Sequence, residues 1–266
     1  MNRDSSPTSI PAPRVFAALL RRDLHVSARE LPFFLVRTCL QPVLFVVVFG
    51  YLLPRMGFVQ RGYGAALLPG ILAISLALSS VQAVALPMVA DFGFTREIDD
   101  RLLAPVAVRV VALEKVVFGI LQGLVAAAVV LPVARLIMGP IDALTLAHAG
   151  SVLAITMLGS AAFSALGLLL GTGISPPQIG LMFSVIVAPM IFFGCAYYPW
   201  QGLSAVPVLR WAVLVNPLVY VAEGLRATLT PGTPHMPVAA SGLALVALTA
   251  AFWAWGARTF ERRAIG

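Results

Sequence analysis

The sequence predicts an all-α integral membrane protein. Six transmembrane helices are expected, with an N-terminal interfacial helix, a charged cytosolic segment between spans two and three, and a re-entrant outer hairpin between spans five and six. Two observations carry the class. The chain is 60% hydrophobic and 11% charged, with a mean hydropathy of +0.95; soluble domains run at about 25% charged and about 45–50% apolar. The charges are also segregated, since Ala143–Leu209 runs for 67 residues without one Asp, Glu, Lys or Arg. In such a chain the net charge of +7 concerns which loops carry it, and it is no sign of a nucleic-acid partner.

Met1–Pro13 (MNRDSSPTSIPAP) is polar and is expected to be a mobile cytosolic tail. The first apolar run starts too late for a cleavable signal peptide. Residues 14–30 then form the interfacial helix, opened by Pro13, which suits a first helical position. Phe16, Leu20 and Leu24 fall at i, i+4 and i+8 beside Leu19, while Arg14, Arg21, Arg22 and Arg29 make the polar side. That pattern fits a helix lying in the membrane surface, with an ordinary juxtamembrane basic anchor as the alternative.

Residues 31–257 hold the six-span domain. A span needs about 20 mostly apolar residues. Thr38–Leu53, Ala65–Ala90 and Val116–Ala134 supply the first three. The uncharged Ala143–Leu209 run would be about 100 Å long as one helix at about 1.5 Å per residue, so it must fold back. Gly171-Thr-Gly-Ile-Ser-Pro-Pro-Gln178 marks the break, because Gly and Pro end helices. Spans four and five are therefore His148–Leu170 and Ile179–Cys195, and Val238–Ala257 is the last. Residues 197–217 (YYPWQGLSAVPVLRWAVLVNP) are apolar but interrupted by Pro199, Gly202, Pro207 and Pro217. Counting them as a seventh span would put the basic residues 258–266, a cytosolic tail, opposite the basic N-terminal region. With six spans, thirteen of the eighteen Lys and Arg fall inside, as the positive-inside rule requires. Residues 197–217 then dip in and return, which broken backbone can do under cover of protein.

The most charged island is 91–109 (DFGFTREIDDRLLAPVAVR), with four of the eleven acidic residues and Arg96, Arg101 and Arg109. Charges are costly at the bilayer centre, so this island belongs in water or at the interface, as a docking surface for something soluble. Several chemistries are excluded. The single lysine, Lys115, is followed by Val116 and preceded by no Gly-rich run, so there is no phosphate-binding P-loop. Spans two, five and six hold no ionisable side chain except Cys195, which argues against proton coupling. Glu114 and Lys115 are expected near the cytosolic end of span three, reaching water. His25, His148 and His235 fall in unrelated places. Cys39 and Cys195 sit near opposite ends of their spans, so no disulfide or metal site is expected. Ser79, Ser80, Ser160 and Ser164 are expected to permit close helix packing.

Two stretches carry a family resemblance. One is Phe94–Pro105 (FTREIDDRLLAP); the other is Ile191-Phe-Phe-Gly-Cys-Ala-Tyr-Tyr-Pro199, then Asn216-Pro-Leu-Val-Tyr220 and Glu223-Gly-Leu-Arg226. With six spans, the chain resembles the permease subunit of ABC-2-type ATP-binding-cassette exporters, most closely the short drug- and nodulation-type members. The resemblance implies a bacterial plasma-membrane exporter subunit that is not itself an enzyme and binds no cofactor. ATP and Mg2+ would be held by a separate cytosolic ABC ATPase, present in two copies, and a second permease, identical or paralogous, would complete the dimer. The island would be the coupling helix, with Phe92, Phe94, Arg96, Glu97, Asp100, Arg101, Leu102 and Leu103 meeting the ATPase; Glu97 and Arg101, at i and i+4, can also pair with each other. Tyr197, Tyr198, Pro199, Trp200, Trp211, Asn216, Pro217, Glu223 and Arg226 would form an outer gate, although the aromatic residues equally suit interfacial anchoring and Glu223 with Arg226 a local pair. The path between permeases would be lined partly by spans one, two and five, with Gln41, Ser75, Ser79 and Gln82 as its polar positions. The cargo would be an amphipathic small molecule, a lipid or a lipid-linked glycan. A membrane enzyme, or a passive channel or scaffold, is the competing expectation.

Overall fold

The computed structural model describes residues 12–58, 63–95, 107–138 and 146–265, all helix and connecting turns with no strand among them. Four helices are long and apolar enough to cross a membrane, or five if one bent pair is counted as a span. Helix α1 covers Ala12–Arg29. Helix α2, Leu31–Phe45, contains Pro42, and wider π-type turns carry it on through Val46–Leu52 to Leu53–Arg55. Proline has no N–H for the helical ladder, and π-turns accommodate such local mismatch. Gly57, at φ +79°, then turns the chain. This broken helix is why the first span fails a simple length-and-composition criterion: only Pro42–Arg55 qualifies, as a short apolar helix.

Helix α3 is Tyr63–Ala90, prolonged by a π-type segment, Asp91–Thr95. Helix α4 is Val108–Met138 and α5 is Leu146–Gly173. Helix α4 begins eight residues before the expected span, so Val108 and Arg109 belong to it and not to a separate cytosolic element. The break after α5 falls where glycine and proline demand it. Ser175 and Gln178 form a capping box that starts the short helix α6, Pro176–Phe192, which has a π-type middle at Phe183–Val187. Helix α7, Pro207–Ala212, leads through a 3-10 turn into α8, Pro217–Leu229, at a bend of 99°. Helix α9 is Val238–Ile265.

Helix α3 is the most enclosed of the long helices and packs on α4, α5 and α8; α9, the least enclosed, lies along α5. The close approach of α3, α4 and α5 rests on small residues, as membrane helix contacts generally do. Ser80, Ser160 and Ser164 are fully buried. A Cβ on Gly123 would lie 2.1 Å from Ser80 Oγ and 2.5 Å from Ser160 Oγ. Gly123→Val is therefore expected to cost about 1–3 kcal/mol by overpacking, read as a lower melting temperature of the purified protein.

Residues 258–265, the described part of the expected tail, continue α9 to Ile265, and Phe260 is fully buried. Glu114 and Lys115 do not reach water, being 0% and 2% exposed. The segment expected as a hairpin over 197–217 leads into α8, whose residues are nearly all buried against α3, α5 and α9.

Candidate functional site

On the side where α3 ends, α9 ends and α4 begins, the start of the charged island is bound into the protein. Phe92 meets Phe260 edge-on with ring centroids 5.7 Å apart, and the Arg263 guanidinium lies 4.8 Å from the Phe92 ring centroid. Arg263 also donates to the Thr172 and Ile174 carbonyls at 2.8 and 3.2 Å, meeting acceptors that a helix C-terminus leaves open. Arg109 pairs with Glu261. A Cβ on Gly93 would lie 2.1 Å from Pro176 Cγ. The Asp91–Thr95 segment thus touches both the start of α6 and the end of α9. Of the expected coupling residues, only the Phe92 side chain is described, and it faces inward to this junction. The backbone of Phe94 belongs to the π-type segment, while Arg96, Glu97, Asp100, Arg101, Leu102 and Leu103 lie outside the described residues.

Helix α1 docks on α4 through its Leu19, Asp23 and Ser27 stripe, residues spaced by four. Lys115 donates to Asp23 at 2.6 Å, Gln122 donates to Ser27 Oγ at 2.5 Å, and Leu19 joins the apolar cluster around Val84, Met88 and Val111. The expected apolar stripe Phe16, Leu20 and Leu24 is a different face. A lone lysine inside a span was the signal for this dock, because a buried ammonium requires a partner. Lys115→Met is expected to loosen α1, read as faster tryptic cleavage at Arg21 and Arg22.

Ser75, Ser79 and Gln82, expected on the path, come together on one face of α3. With Thr38, Pro42 and Phe45 of α2 they line a groove of 150 Å3. Ser75 also donates to the Ile71 carbonyl at 2.8 Å. The Gln41 side chain lies outside what is described. Thr38 was not foreseen, although its position four residues before Pro42 marks it.

At the other end, several of the nine expected gate residues make buried contacts, with Glu223 linking Trp200 and Arg226. The Glu223 carboxylate accepts from the Trp200 N–H at 2.9 Å and the Met236 N–H at 2.8 Å, and it pairs with Arg226. Arg226 donates its remaining fork to the Cys195 carbonyl at 2.8 Å. Cys195, a free buried thiol, sits at φ +53°, a conformation unusual for a residue with a Cβ. The next carbonyl, of Ala196, presses on α3, where a Cβ on Gly70 would lie 1.8 Å from it. Asn216 makes the bend: its Oδ1 accepts the Leu218 N–H at 2.9 Å, its Nδ2 donates to Met190 at 2.7 Å, and Pro217 takes the first turn of α8, an arrangement proline favours. Pro199 precedes the 3-10 turn Trp200–Ala205. Trp200 donates to the Arg210 carbonyl at 2.9 Å, lies 4.2 Å from the Arg210 guanidinium and meets Trp211 edge-on. The Tyr197 ring lies tilted against Phe45 of α2, with centroids 5.4 Å apart. The Tyr198 hydroxyl donates to the Phe192 carbonyl at 3.1 Å.

Membrane-length helices, a buried ion pair at one end and a charged segment at the other define a helical membrane protein. The chain belongs to the ABC-2 type transporter family, whose description matches residues 14–230; it is a transport subunit of the kind that lacks the ATPase domain. The inner membrane transport permease YadH of Escherichia coli strain K12 is 28% identical over 208 residues, covering 72% of this chain and 75% of that protein. The protein of the same name from Shigella flexneri matches to the same degree.

Proposed function

We propose that this chain is the membrane half of an ATP-driven exporter in a bacterial plasma membrane, with both termini cytosolic. The observation that carries this reading is a permease-family chain with a charged island between its second and third spans and no P-loop. Energy then has to come from another chain, and the island is where a soluble ATPase would dock. Two ATPase subunits and a second permease complete the assembly. The six spans are α2 with its continuation to Arg55, α3, α4, α5, α6 and α9. Leu31–Arg55 is 25 residues, about 37 Å at about 1.5 Å per residue, long enough to cross. Helix α6 is shorter, and the hairpin beyond it completes the crossing. ATP-driven closure of the ATPase pair would shift a two-state equilibrium in the permease, moved through Gly93 and Pro176 into α6 and through Phe92 into α9. The cargo is an amphipathic small molecule or lipid, passing along the Ser75, Ser79 and Gln82 groove, with the Tyr197–Arg226 knot as the outer gate. Co-expression of the tagged chain with a cognate ABC ATPase is expected to yield a stable complex in detergent. A chain that purifies alone under those conditions contradicts the proposal.

A further inference from the structure

The hairpin between α6 and α8 carries a cation that the protein itself leaves open. In α7 and the 3-10 turn after it, Leu209 and Val213 pack inward around Cys195. Val208, Trp211 and Val215, at i, i+3 and i+7, are 82%, 65% and 79% exposed on the other side. Arg210 falls at the border of the two faces and is half-buried. Its guanidinium lies 4.2 Å from the Trp200 ring centroid. Its Nε is buried with no acceptor, and no carboxylate or carbonyl among the described residues accepts from the terminal nitrogens. Glu223, the acidic residue described at this end, is already held by Trp200, Met236 and Arg226. A donor group enclosed this far without a partner calls for one from outside the chain. Trp200 ties the position to the interior: its indole N–H donates to the Arg210 carbonyl and its backbone N–H to Glu223.

We propose that Arg210 binds the phosphodiester of a glycerophospholipid in the outer leaflet, so that an ordered lipid is part of the outer gate. A guanidinium presents its terminal N–H groups in a fork that matches phosphate oxygens. The exposed Val208, Trp211 and Val215 face then lies in the acyl boundary below the headgroup, the level where tryptophan rings collect in membrane proteins. The Nε edge, closed off against protein, takes no part. Because Trp200 touches both Arg210 and Glu223, a bound lipid holds the hairpin against the buried ion pair, and its departure frees the hairpin to move. The proposal rests on the topology proposed for the permease, which puts this end outside.

The test is quenching of tryptophan fluorescence by lipids brominated in the acyl chains, with Trp253→Phe and Trp255→Phe leaving Trp200 and Trp211 as reporters. The full-length permease in detergent is titrated with brominated phosphatidylglycerol, or with the diacylglycerol of the same chains, which lacks the phosphate. Saturable quenching by the phospholipid is expected, about tenfold tighter than by the diacylglycerol, the size of one charge-assisted hydrogen bond. Arg210→Gln is expected to remove that preference with the melting temperature retained, and Arg210→Lys to keep part of it. Asp142→Asn, in the loop between spans three and four, is expected to leave it unchanged. A photoactivatable phosphatidylglycerol, used on the unmodified protein, is expected to label the 206–215 peptide, which keeps the test decisive should the Arg210 variants misfold. Equal quenching by the two lipids, a preference that survives Arg210→Gln, a preference seen only in Asp142→Asn, or labelling absent from 206–215 overturns the proposal. Ser204→Cys, exposed on the same hairpin, is treated with a membrane-impermeant maleimide in spheroplasts. Modification from outside without a lipid preference removes the lipid site alone, whereas modification reached only from the cytosolic side contradicts the proposed topology.

Discussion

Arg226→Ala is expected to be the most damaging single substitution outside the helix core. It leaves the Glu223 carboxylate, 0% exposed, without its counter-charge, and leaves the Cys195 carbonyl without its donor. Removing one partner of a buried ion pair costs about 3–5 kcal/mol, comparable with the whole stability of many domains. The expected result is little folded protein in the membrane, read by fluorescence-detected size exclusion. Glu223→Gln combined with Arg226→Met is expected to recover much of the loss. The amide oxygen still accepts one backbone N–H, and no isolated charge remains. Equal damage from the single and double variants would mean that shape, not charge compensation, holds the knot. Gly70→Ala approaches the same place from α3 and is expected to displace the Cys195–Ala196 turn, since its Cβ meets backbone that has no rotamer to change.

Gly93→Val is expected to have the largest effect on work done rather than on stability. Gly93 is exposed, yet a Cβ there would lie 2.1 Å from Pro176 Cγ and 3.0 Å from its Cδ. Either the Asp91–Thr95 segment or the start of α6 has to move. If force from the ATPase reaches α6 through this contact, the reconstituted exporter should lose transport-coupled ATP turnover by about tenfold, within the usual range of coupling energies, about 1–3 kcal/mol. The melting temperature should change little. Gly150→Val, added where nothing lies within 4 Å, serves as the control and should leave turnover intact. Unchanged turnover in Gly93→Val would move the coupling route elsewhere.

The parts of the fold set by backbone chemistry were legible in the sequence. The Gly171–Gln178 break, the ends of α5 and the start of α9 follow from glycine, proline and apolar length. Small serines at α3–α5 contacts follow from the need for close approach. The residues from Tyr197 to Arg226 were grouped in the sequence only through the family resemblance. Their contacts were not legible, since nothing in the residue order says that Glu223 accepts from Trp200 and Met236, or that α8 is buried. Buried ion pairs across long sequence separations stayed hidden for the same reason: Asp23 and Lys115 are 92 residues apart. The packing of the C-terminal basic cluster was not legible, because Arg262 and Arg263 suit a helix end equally well as solvent-facing residues or as caps. Only the structure puts Arg263 on the carbonyls that end α5.

Entry of energy through the 91–109 segment from a separate ATPase is the proposed coupling route. It is tested most directly by placing a photoreactive amino acid at Glu97 in the exporter reconstituted with its ATPase and illuminating with and without ATP. A crosslink to the ATPase subunit whose yield changes with nucleotide is predicted. An intact complex in which position 97 crosslinks only to lipid or to the permease would contradict the claim.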